Sequence, residues 1–181
     1  MPNIKHKILL AALLVFTVSF PFVAYVLQFG PVKIVRSYVL VYALYVLSGI
    51  DLETKTVPNR ILLVLLGVRI ILFVPEAVLY PGYLGNFVFA SAAGALLSMA
   101  VLAAGNLICK HGMGMGDIKL FGVAGCYVGM GGVIVIMFFS LFFAALCSGV
   151  LLLRKRLRAK DEIPFVPFIF AGTIVTFLLG I

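Results

Sequence analysis

The sequence predicts an all-α fold: a polytopic membrane bundle of about seven transmembrane helices with no separate soluble domain. Three observations predict it. Of 181 residues, 64% are hydrophobic and only 11% charged, and a mean hydropathy of +1.26 exceeds what a water-soluble core of this size can hide. The apolar runs are long and lack the in/out alternation of strands, so backbone groups in lipid are satisfied within helices rather than in a closed barrel. The basic residues also gather on one side of the implied membrane, as they do when they set topology.

The spans are expected at 8–28, 33–50, 60–75, 84–107, 118–130, 133–153 and 163–181. The first follows Lys5 and Lys7 and has the outline of a signal peptide. Cleavage after Ala24 would put Phe22 at −3, where a small residue is needed, so an uncleaved span is expected. The second opens on Lys33 and Arg36 and closes at Asp51. The third starts from the Pro58-Asn59 turn, is short, and contains Arg69, which must snorkel to an edge or face the bundle. The fourth carries Ala90, Gly94 and Ser98 at four-residue spacing.

The fifth span is short and carries Gly125 and Gly129, with a turn expected at Gly129-Met130-Gly131-Gly132. The sixth carries Ser140, Ala144 and Ser148. Such stripes of small residues let helix backbones approach closely where lipid supplies no hydrophobic drive. The last span opens on Pro164 and Pro167, which the first turn of a helix tolerates. No repeat or low-complexity tract interrupts the chain, so residues 1–181 are read as one membrane domain.

With the N-terminus in the cytoplasm, eleven of the 14 Lys and Arg residues fall on the inner side: Lys5, Lys7, Lys55, Arg60, Lys110, Lys119 and the five between Arg154 and Lys160. Only Lys33 and Arg36 fall outside, and Arg69 lies within a span. The net charge of +8 is therefore assigned to topology, with no nucleic-acid partner. Cys109, Cys126 and Cys147 show no CxxC spacing, which leaves both a metal site and a disulfide framework without support.

Acids are scarce, six in the whole chain. Asp51 closes the second span and Asp117 opens the fifth, which puts both at the cytoplasmic boundary. Glu76 is expected outside; Glu53, Asp161 and Glu162 are expected to be solvated in inner loops, and His111 to be a loop residue rather than a ligand. An ionised acid near the apolar zone costs free energy, which makes it a functional candidate, although Asp117 is also placed to cap a helix. Gly112, Gly114 and Gly116 let the chain before Asp117 approach another strand closely. Two carboxylates held together share one proton; the ionised one can activate water while the other protonates the carbonyl oxygen or leaving amine. That chemistry needs neither metal nor cofactor.

The pattern Asp51-x6-Pro58-Asn59, followed by Gly114-Met115-Gly116-Asp117-Ile118-Lys119-Leu120, resembles the type IV prepilin peptidase family of GxGD membrane aspartic proteases. The segment Ile163 to Phe168, IPFVPF, is similar to the family's IPFGPF, with Val166 in place of glycine. The resemblance implies removal of a short basic leader from pilin-like precursors at the cytoplasmic face of the cytoplasmic membrane. It carries the two catalytic aspartates onto Asp51 and Asp117, with Gly114, Gly116, Lys119, Pro58 and Asn59 in support. Many bacterial members also methylate the new N-terminus and carry paired CxxC motifs between the first two spans. This sequence has about four residues there and no CxxC, so it resembles the short, peptidase-only form. A proton- or ion-coupled transporter built on the same two acids is the alternative; such sites favour the midplane and paired half-motifs, and neither is visible here.

Overall fold

The computed structural model describes residues 4–108, 114–154 and 163–181. Among the described residues there are six α-helices and no strand: α1 (Ile4–Val26), α2 (Pro31–Thr54), α3 (Asn59–Leu79), α4 (Leu84–Ile108), α5 (Met115–Leu153) and α6 (Val166–Leu178). The first five are long and apolar enough to cross a membrane. Local chemistry sets their ends. Gly30 stands extended before Pro31, whose fixed φ suits a first helical residue and whose missing N–H would have had no partner there. At the other end of α2, Lys55 turns left-handed (φ 52, ψ 33) and its N–H reaches the Asp51 carbonyl. Pro58 is extended again and starts α3, so a few residues reverse the chain between α2 and α3.

The helix count is six where seven were expected. The predicted fifth and sixth spans belong to one helical element, because only Gly129 (φ 75, ψ −177) leaves helical geometry. The turn expected over residues 129–132 falls there, as an interruption confined to Gly129. The two halves of α5 cannot be collinear. A straight helix would carry Ile136 about 28 Å beyond Asp117. Yet Ile136 and Ser140 pack on Gly172, about 9 Å along α6 from Val166, and Val166 lies at the level of the Asp51 carboxylate. Gly129 is thus the sharp bend that brings both halves of α5 beside the same short helix, in a conformation open to glycine and costly for other residues.

Two further expectations need correction. The helix α3 does not stop at residue 75: Pro75 is accommodated within it and it continues to Leu79, and Glu76 in its last turn is buried (3% exposed). Glu53 is not in a loop but in the last turn of α2, exposed, with its carboxylate 3.5 Å from His6. The expectations for His111, Asp161 and Glu162 lie outside the described residues.

Packing follows the small-residue stripes. A methyl group added to Gly94 of α4 would lie 2.6 Å from the Gly125 carbonyl oxygen and 2.7 Å from the Gly129 backbone. Ser98 sits one turn along the same stripe, its hydroxyl 3.0 Å from the Phe121 carbonyl oxygen of α5 and 2.9 Å from that of Gly94. The short α6 is buried among α1, α2 and α5. Its Phe177 meets Phe16 and Phe20 of α1 at ring distances of 6.2 and 5.9 Å, and Tyr38 of α2 stands edge-on to both phenyl rings of α1. Outward-facing side chains such as Val18, Phe89 and Ile108 remain exposed and apolar, the surface a helix bundle presents to lipid.

Candidate active site

The end of α2, the start of α5 and the start of α6 converge. Asp51 occupies the last turn of α2 and is buried, 4% exposed. Its Oδ2 accepts a hydrogen bond of 3.0 Å from the backbone N–H of Val166. The sequence of α6 offers no side-chain cap at Phe165, so an acid from a distant helix takes up one of its orphan amides. This places the IPFVPF segment in the site itself, a role that its prolines alone do not reveal.

Asp117 is the third residue of α5, after Met115 and Gly116, in the first turn where a carboxylate faces the positive end of the helix. It is half-buried and close enough to Asp51 for the two charges to act on each other. Gly114 caps α5 in an extended conformation, and a side chain there would crowd the Asp117 carboxylate, with its first carbon 3.3 Å from Oδ2. Gly116 packs on the α2–α3 connection, where an added methyl would lie 3.0 Å from Val57. Pro58 and Asn59 follow directly. Lys119, exposed on the next turn of α5, donates to the Asn59 side-chain oxygen at 3.4 Å.

All seven residues picked from the sequence therefore lie around one end of the bundle. Asp51, Asp117, Gly114 and Gly116 border the acid pair, whereas Pro58, Asn59 and Lys119 tie the start of α3 to α5. Beside that tie an apolar cavity of about 570 Å³ opens between α3, α4 and α5, lined by Leu62, Leu66, Met99 and Gly122 among others. Asn106, in the last turn of α4, is buried at the same end (8% exposed). The sequence signal for it is its place as the one amide in the apolar run 95–108. Among the described residues no basic group forms a salt bridge with Asp51 or Asp117, and no group of His, Cys, Asp and Glu is arranged to hold a metal.

The opposite end contains charge that the sequence reading did not pair. Arg69 is 2% exposed. It donates to Glu76 at 3.1 Å, to the Cys126 carbonyl at 2.8 Å and to Ser91 at 2.9 Å. Arg36 bonds the other oxygen of Glu76 at 3.2 Å. The spacing Arg69-x6-Glu76 puts both side chains on one face of α3, two turns apart; that periodicity was the available signal.

Comparison with known proteins adds an independent line. The profile of the type IV leader peptidase family matches residues 38–149, which takes in both aspartates. A prepilin leader peptidase/N-methyltransferase of Bacillus subtilis (strain 168) is 34% identical over 164 residues, covering 88% of this chain and 62% of that protein. Its counterpart in Aeromonas salmonicida (strain A449) is 32% identical over 145 residues, 78% of this chain and 48% of that protein. The chain thus spans less than two thirds of the length of these relatives. No solved structure matches it.

Proposed function

The chain belongs to the type IV leader peptidase family, and from that membership we propose that it is a membrane aspartic endopeptidase. Its substrates are type IV pilin-like precursors, and it removes their short basic leader at the cytoplasmic face, with the N-terminus of the chain on the same side. The observation that supports this reading is that Asp51 and Asp117 lie at one end of the bundle, close enough for their charges to act on each other, with no salt bridge to either among the described residues.

The mechanism follows from that pairing. One proton is divided between the two carboxyl groups. The ionised carboxylate takes a proton from a water molecule as its oxygen attacks the scissile carbonyl carbon. The protonated partner gives its proton to the carbonyl oxygen, and the tetrahedral species collapses as the leaving nitrogen is protonated. The Val166 N–H fixes the plane of the Asp51 carboxyl through Oδ2, and the lack of a side chain at Gly114 and Gly116 lets the start of α5 lie close to the Asp117 carboxylate and to Val57. A precursor anchored by its own apolar helix arrives by sliding within the bilayer, and that confinement lowers the entropic cost of the encounter.

The relatives are named as N-methyltransferases as well. We assign this chain the peptidase step alone, because α1 and α2 are joined by residues 27–30 and no CxxC motif occurs. Co-expression with a prepilin tests the reading. Wild-type chain is expected to release the leader, while Asp51→Asn and Asp117→Asn insert into the membrane and leave it attached. Processing by either variant would reject the aspartate pair. The mass of the mature pilin N-terminus, methylated or not, decides the second assignment.

A further inference from the structure

The proposed peptidase chemistry leaves the charged end of the bundle unused, and that end contains a cavity of about 200 Å³. We propose that this cavity is a binding site for a phosphate-type anion, lined by the first turn of α2, Arg36 and Tyr80. Charge is the first argument. Glu76 also lines the cavity, but it is held between Arg36 and Arg69, so its one carboxylate is offset by two guanidinium groups. Lys33, on the cavity wall, adds a further positive charge.

Donor supply is the second. Arg69 is fully engaged within the bundle by Glu76, Ser91 and the Cys126 carbonyl. Arg36 gives one bond to Glu76, and its other donors have no partner among the described residues. The first amides of α2 have no side-chain cap, and Gly30 and Val32 line the same cavity. Orphan amides at a helix start suit an anion; Pro31 has no N–H and Ile34 bonds the Gly30 carbonyl, which leaves those of Val32 and Lys33, residues that line the same cavity as Arg36. The Tyr80 hydroxyl lies over Gly30, where a side chain would collide with it, so glycine makes room for a phenolic donor on the cavity wall.

Position supplies the third. From Pro31 to Asp51, α2 rises about 30 Å, the thickness of the hydrocarbon layer. The cavity therefore sits at the headgroup level of the leaflet opposite the acids. Lys33 lines the cavity, and its ammonium stands over the Phe29 ring at 3.7 Å. The anion has two sources, the phosphodiester of an anionic lipid in that leaflet or a soluble phosphate.

The site does not depend on the peptidase reading: an Asp117→Asn chain is expected to bind the same anion. The test uses the full chain in neutral detergent, with thermal unfolding followed as phosphatidylglycerol, phosphatidylcholine or inorganic phosphate is added, and retained lipid counted by native mass spectrometry. Phosphatidylglycerol is expected to raise Tm by about 5 °C more than phosphatidylcholine once the site is saturated. A rise with inorganic phosphate alone assigns a soluble anion; a rise with lipid alone assigns the headgroup. The double variant Lys33→Gln/Tyr80→Phe keeps the Arg36–Glu76–Arg69 triad and is expected to lose both the rise and the retained lipid. Lys55→Gln, at the far end of α2, is expected to keep them. Equal Tm with all three additions, or an unchanged rise in the double variant, overturns the site.

Discussion

The two ends of α2 treat buried charge in opposite ways. At its start, Glu76 is held between Arg36 and Arg69, and the guanidinium of Arg69 also takes up the Cys126 carbonyl and Ser91. At its end, Asp51 lies beside another acid, and among the described residues its hydrogen bonding comes from backbone amides at the start of α6. The first arrangement neutralises an acid and pins α2, α3, α4 and α5 together. The second brings like charges close, which does nothing for cohesion. A protein keeps such a pair for what it can do to a proton. The difference separates a clamp from the acid pair that we propose as the reactive site.

Substitutions at the two ends should therefore fail in different ways. The largest effect is expected for Asp117→Asn and Asp51→Asn: loss of about 10² to 10⁴-fold in leader cleavage, measured on purified precursor in vesicles, with thermal unfolding close to wild type. A large fall in stability instead would make the acid pair a structural element and erase the contrast. Next comes Glu76→Gln, which strands two guanidinium groups in the bundle and is expected to cost about 3–5 kcal/mol. Denaturant unfolding in detergent reads it, and the folded fraction should still cleave. Replacing Arg36, Arg69 and Glu76 together by apolar residues of similar size should cost much less, because no unpaired charge is left behind.

Gly94→Ala tests the packing that connects the two ends. Its methyl would lie 2.6 Å from the Gly125 carbonyl, and backbone cannot yield there, so about 1–3 kcal/mol of destabilisation is expected. The smallest effect belongs to Lys119→Gln. Its bond to Asn59 is long and exposed, and cleavage should change by no more than about fivefold. A larger loss would move Lys119 from the scaffold into the reactive group.

Much of this was legible in the sequence because it is local. The small-residue stripes could be read from four-residue spacing, and Gly94 and Gly125 do meet. The acids at 51 and 117 stood out because acids are rare in so apolar a chain. Other features were hidden. The turn expected over residues 129–132 is there, but its confinement to Gly129, with the helix resuming after one residue, could not be read. The span read over 60–75 runs on through Pro75 to Leu79, since membrane helices tolerate proline when neighbours hold them, and Glu76 is buried beside Arg69.

The sequence alone determined that this is a helical membrane protein, which residues form its helices, and that Asp51 and Asp117 stand near the ends of theirs. Composition and short-range spacing suffice for that, since each helix satisfies its own backbone. Only tertiary structure decided that residues separated by dozens of positions share a site: Asp51 with Val166, Gly116 with Val57, Arg36 with Arg69 through Glu76. Those meetings depend on how α2, α3, α5 and α6 lie against one another. In lipid that is set by close packing and buried polar bonds between helices, which no single helix encodes.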